Sequence, residues 1–225
     1  MFWCWERKKA QTRNEVADDG QIEQEMEAQK DPLVRSRQVF PDGYKSYAIR
    51  KFAQMSVGVN LLKGQTRGHI AWYVNRLRNG RPKYEGASTL TGIPWEIIGV
   101  LHGLESSFNF DKQILNGQKW WKVTNLVPRG LGPWANWEES CVAGFRHELK
   151  HNPMPIEWSV EATALFLERW NGMGYWRMKR ASPYLWSYTS VQEQGKYVSD
   201  GRYDRNAVSK QVGGMAMLKE VGFFG

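Results

Sequence analysis

The sequence predicts a mainly α chain with one small β-hairpin inserted after a central helix. Three observations carry that expectation. From Tyr44 onward, apolar residues recur at helical spacing in segment after segment. One stretch, Trp95 through Leu104, is apolar nearly all round, as a fully buried helix must be. Downstream, Asn116-Gly117 sits between apolar and β-branched residues, a strong local hairpin signal.

Taken in order, residues 11–42 are dominated by Glu, Gln, Lys, Arg and Asp and punctuated by Asp31-Pro32 and Pro41-Asp42-Gly43. They bury too little to offset their ordering entropy, so residues 1–43 read as a charged N-terminal arm. A polar helix over 21–30 suits a partner rather than the core. Residues 44–225 read as one domain, with leading helices over 44–91. Ile49, Phe52, Ala53, Val57 and Leu61 define the first of these, with Gly64 as its stop. His69, Ala71, Trp72, Val74, Asn75 and Leu77 define a second, ending near Asn79-Gly80. Pro94 opens the central helix, since proline is tolerated in a first turn. The expected hairpin region holds Trp120, Trp121, Val123, Thr124, Leu126 and Val127 and closes at Pro128-Arg129-Gly130. Helices resume over 137–149 and 157–170. A loop rich in Tyr, Trp and Gly covers 171–204, and a last helix spans about 206–220.

Composition narrows the function. The chain has 225 residues, 41% hydrophobic and 24% charged, with 12 Trp, which excludes collagen-like, low-complexity and wholly disordered chains. No apolar run approaches the roughly 20 residues of a membrane-spanning helix, and the first residues lack the apolar stretch of a signal peptide. Two cysteines, Cys4 and Cys141, make no disulfide framework. The net charge of +8 suits polyanions: nucleic acid, an anionic membrane, or a bacterial wall with its acidic peptides and phosphates. Zinc-finger spacing, a Lys/Arg-dense arm and a single-strand-binding signature are all missing, so nucleic acid is not expected as a partner.

Glu105 is the leading chemical candidate. It ends the apolar helix just before a polar loop, where partial desolvation should raise its pKa toward that of a general acid. A plain surface residue at a helix end is the competing reading. His102, one turn earlier, either touches that region or is a satisfied core histidine. His147-Glu148-Leu149-Lys150-His151 spells the zinc-protease string, yet Asn152-Pro153 ends the helix and no third ligand is apparent. No metal and no cofactor are expected. Cys141 reads as a small core residue.

Several motifs in one order resemble the lysozyme superfamily, nearest to its goose-type lysozyme and lytic transglycosylase branch and to phage and bacterial endolysins. They are His102-Gly103-Leu104-Glu105-Ser106-Ser107-Phe108, Leu115-Asn116-Gly117, Val127-Pro128 and Trp137-Glu138-Glu139-Ser140. Further on come Leu167-Glu168-Arg169-Trp170-Asn171-Gly172-Met173-Gly174-Tyr175, then Ser182-Pro183-Tyr184-Leu185-Trp186-Ser187 and Lys196-Tyr197-Val198-Ser199-Asp200-Gly201. The resemblance covers residues 92–222.

It implies an α+β lysozyme-like fold and a glycosidase that cleaves the β-1,4 bond between N-acetylmuramic acid and N-acetylglucosamine in bacterial peptidoglycan. Glu105 matches the catalytic glutamate. Ser107, Asn116, Asn171, Tyr175 and Tyr184 match substrate-groove positions, whereas Trp186 and Tyr197 suit packing better. The second catalytic group stays open among Asp111, Glu138, Glu139 and a water held by Thr124. Relatives often carry an acidic residue after the Asn-Gly turn, where this chain has Gln118-Lys119. A lytic transglycosylase using one glutamate as acid and then base, chitin cleavage, and a wall-binding protein without chemistry are the alternatives. The resemblance further implies a phage enzyme held in the host cytoplasm until released to the wall or periplasm, or one carried in the virion. The arm could then attach to a virion component.

Overall fold

The computed structural model describes residue 33, residues 35–199 and residues 201–225. The expected polar helix over 21–30, Cys4 and most of the charged arm lie outside the described residues. Nine helices and one two-stranded antiparallel sheet form the described part, a mainly helical architecture. The helices are α1 (Tyr44–Ala53), α2 (Arg67–Asn79), α3 (Arg81–Thr91), α4 (Trp95–Ser106), α5 (Trp137–Glu148), α6 (Val160–Asn171), α7 (Gly174–Arg177), α8 (Pro183–Trp186) and α9 (Gly214–Glu220). Strands β1 (Lys196–Ser199) and β2 (Arg202–Asp204) lie between α8 and α9. Among the described residues no helix is long and apolar enough to cross a membrane.

Helix α4 is the axis of the core. Ile97, Ile98, Val100 and Leu101 are fully buried, and α2, α3 and α9 pack around it. Two glycines allow that crowding: a methyl at Gly99 would overlap Leu77 of α2 and Tyr84 of α3, and one at Gly103 would overlap the Phe108 ring. Helix α6 packs against α1 and α8. Three helix starts are capped by side chains. The Thr66, Asn136 and Ser159 side chains accept from the backbone N–H groups of His69, Glu139 and Ala162.

The structure departs from the sequence expectation in several places. The expected hairpin after α4 is a turn with one isolated bridge, Lys112 to Lys119. Gly117 does adopt the left-handed turn conformation, but side-chain amides take up donors a strand ladder would use. Gln113 Oε1 accepts from the N–H groups of Leu115 and Asn116, and Gln118 Oε1 accepts from those of Asn125 and Leu126. The actual two-stranded sheet falls inside the stretch expected to be loop. Second, α1 stops at Ala53, because residues 56–58 turn to bond residues 188–190 instead: Gly58 N donates to Tyr188 O and Ser190 N to Ser56 O. Third, α3 was not anticipated. Its buried residues are Tyr84, Ala87 and Thr91, a helical repeat too poor in large apolar residues to stand out. Fourth, the last helix begins at Gly214 rather than near residue 206, since the Ser209 hydroxyl captures Gln211 N and Gly213 packs against the backbone of Leu185 and Ser187.

Residues 35–40, placed with the arm, are bonded to the body. Arg35 donates to Ile156 O and Gly92 O, Ser36 N to Met154 O, and Arg169 to Gln38 Oε1 and Val39 O.

Candidate active site

The last turn of α4 carries Glu105 to the edge of the core. Leu104 is buried and Glu105 half-buried. Immediately beyond, Ser107 (φ 53°) and Phe108 (φ 58°) both take the left-handed conformation, which non-glycine residues rarely adopt. The double reversal folds the Phe108 ring back onto the α4 face that Gly103 leaves bare, and so ends the helix directly after the glutamate. Ser106 Oγ donates to Gln113 O at 3.0 Å, tying the following loop to the helix end.

Tyr184 reaches Glu105 from the other half of the molecule. Pro183 opens the short α8, and Tyr184 is nearly buried there, its hydroxyl donating to Glu105 Oε1 at 2.8 Å. From the segment before α9, Gln211 Nε2 donates to Leu104 O at 2.6 Å, clamping the turn that holds the glutamate. Gln211 had no signal in the sequence: a polar residue 106 positions after Glu105 announces nothing until the fold brings it back.

His102 is the satisfied core histidine. Its Nε2 faces Asn109 O at 3.1 Å and so carries the hydrogen, while Nδ1 takes the Tyr84 hydroxyl at 2.9 Å. Phe110 and Trp137 pack on the ring. Burial pushes its pKa down to about 4, so the imidazole is neutral and holds the post-helix turn by its hydrogen bond.

The remaining candidates are dispersed. Thr124 is buried, with its hydroxyl donating to Pro128 O and accepting from Leu131 N, so it closes its own loop. Glu139 is exposed and accepts from Ala135 N at the start of α5, and Glu138 lies beside it in the same first turn. Asp111 is exposed on the turn after α4, its N–H bonded to Asn109 Oδ1. Asn116 stitches the turn, accepting from Gln118 N and donating to the carbonyls of Leu126 and Val127. Ser107 is exposed beside Glu105. Tyr175 is buried beneath β1, where its hydroxyl accepts from Tyr197 N at 3.1 Å. Trp186 is fully buried. Asn171 ends α6 nearly buried, and its Oδ1 meets no donor among the described residues.

The zinc-protease string does not form one helical face: α5 ends at Glu148 and His151 lies in the next turn. Among the described residues no group of three or more His, Cys, Asp or Glu gathers as a metal site. Cys141 is buried, and burial raises its thiol pKa well above the ordinary value.

Sequence reasoning passed over Glu168 as a titrating group. It sits on α6 with 2% exposure, burial pushes its pKa up to about 8, and its Oε1 meets no donor among the described residues. It acts electrostatically on Tyr44, Tyr47 and Tyr175.

No protein-family model matches the chain, and no curated protein and no solved structure matches it.

Proposed function

We propose that the protein is a peptidoglycan-cleaving glycosidase of the lysozyme type, with a lysozyme-like fold and Glu105 as its general acid. The observation that carries the reading is the 2.8 Å hydrogen bond from the Tyr184 hydroxyl to Glu105 Oε1, at the exposed end of a buried helix. It joins two of the motifs that carry the family resemblance, 79 residues apart. With Oε1 accepting from Tyr184, the acidic proton sits on Oε2 and passes to the glycosidic oxygen as the C1–O bond breaks. The tyrosine then stabilises the carboxylate left behind, because a hydrogen bond to a charged group is stronger than one to a neutral group.

A second reading of the same site, a lytic transglycosylase, is favoured by the engagement of the other candidates. Glu139 holds the start of α5 and Thr124 closes its own loop. With Glu105 acting alone, its carboxylate takes the proton of the muramic C6 hydroxyl as that oxygen bonds to C1, giving an anhydro sugar. Ser107, Asn171 and Tyr184 are the groove residues on this proposal. Release from the host cytoplasm to the wall, or carriage in a virion, goes with it.

Mass spectrometry of sugars released from purified peptidoglycan tests both. We expect wild type to release muropeptides and Glu105→Gln to release at least about a hundredfold less. Reducing ends identify the hydrolase and anhydro ends the transglycosylase. Undiminished release by the variant removes Glu105 from the chemistry.

A further inference from the structure

The turn that replaces the expected hairpin combines exposed apolar side chains with uncompensated cations. Residues 112–137 contain Lys112, Lys119, Lys122 and Arg129 and no Asp or Glu. Three large apolar side chains of this stretch face solvent: Trp121 at 38% exposure, Val123 at 54% and Leu126 at 46%. The loop that carries them is held by its own hydrogen bonds. Gln118 stands at its centre, accepting from Asn125 N and Leu126 N. Trp120 roots it, donating from Nε1 to Phe110 O at 2.9 Å, and stacks edge-on against Trp121 at 4.9 Å between centroids. Lys119 Nζ lies 4.9 Å over the Trp121 ring, so cation and indole sit side by side.

We propose that this loop is a docking tip for an anionic lipid surface. A hydrogen-bonded loop exposing an indole, two aliphatic side chains and interleaved cations matches an interface in which apolar groups enter the acyl boundary and cations meet phosphate headgroups. Tryptophan favours that depth because its ring is amphipathic. A soluble polyanion would engage the cations alone and leave the three apolar side chains in water. A second copy of the loop would bring four cations against four with no acid between them. Docking of this kind is peripheral, and its strength falls with salt.

The test is sedimentation of the full chain with vesicles of phosphatidylcholine alone and with about one-third phosphatidylglycerol, beside Trp121→Ser/Leu126→Ser and Lys122→Glu. Thermal melting of each variant checks that the fold is kept. We expect wild type to pellet only with the anionic vesicles and each variant to bind about tenfold more weakly or worse, since one cation near such a surface contributes about fivefold, reversing it counts twice, and two apolar side chains are lost in the serine variant. Failure of wild type to pellet overturns the proposal. So does loss on charge reversal without loss in the serine variant, which assigns the loop to a phosphate polymer. Vesicle binding kept by the variants alongside lost binding to purified peptidoglycan assigns it to the glycan. Vesicle pelleting is read apart from sugar release, so this proposal and the glycosidase proposal fail separately.

Discussion

Replacing Glu168 by glutamine should change how stability depends on pH. An ordinary glutamate titrates near 4.5, and in the folded chain Glu168 keeps its proton to about 8. Between those values the folded protein holds a proton the unfolded chain has released, so stability falls as pH rises. The contribution is intact below about pH 4.5, declines up to about pH 8 and is then constant. At about 1.36 kcal/mol per unit, the fall approaches about 5 kcal/mol over the whole interval. Glutamine fills the same volume and does not titrate. Urea unfolding of both proteins at about pH 5, 6.5 and 8 should show the glutamine variant gaining on wild type by about 3–4 kcal/mol from the lowest pH to the highest. His102 pulls the other way, with a folded pKa of about 4 that costs stability as pH falls below its ordinary value of 6.5. That term is common to both proteins and cancels in the difference. A difference that stays constant within about 0.5 kcal/mol across the range would refute the argument that burial holds Glu168 neutral.

Two further outcomes follow from the geometry around Glu105. Tyr184→Phe removes the 2.8 Å bond to Oε1, so sugar release should fall about 10–100-fold, the worth of a hydrogen bond to a charged group; an unchanged rate shows that the bond does not serve the chemistry. Gly103→Ala drives a methyl into the Phe108 ring and should cost about 1–3 kcal/mol in urea unfolding, with the turn after Glu105 displaced. A midpoint equal to wild type would mean that the double left-handed turn adapts without strain.

The helices were legible wherever burial is lopsided along the chain. Helix α4 announced itself because it is apolar nearly all round. Helix α3 was not legible, since it buries small residues and one tyrosine against α4, and only the close approach of the two helices gives that pattern meaning. The Asn-Gly turn was legible as a turn and misleading as a hairpin. Whether strands grow from a turn depends on which groups take the neighbouring N–H donors, and here Gln113 and Gln118 take them. Of the candidate site, Glu105 and Tyr184 could be named from their motifs, and the structure joins them. Asn116 and Thr124 have the right chemistry to bind or position something else, but their polar atoms are spent on their own loops. Gln211 and Glu168 matter through position alone, which no local pattern encodes.

The order of the elements along the chain has a consequence for synthesis. Met215, Met217 and Leu218 of α9 lie fully buried beside α4, and Gln211 just before them clamps the turn that carries Glu105. Lys219 and Arg78 then fasten α9 to residues more than a hundred positions upstream, through Met55 O and Glu220 O. A ribosome therefore presents Glu105 long before the piece that completes its platform has been translated. The packed core of this domain is therefore complete only once α9 has been made, since domains generally fold as units.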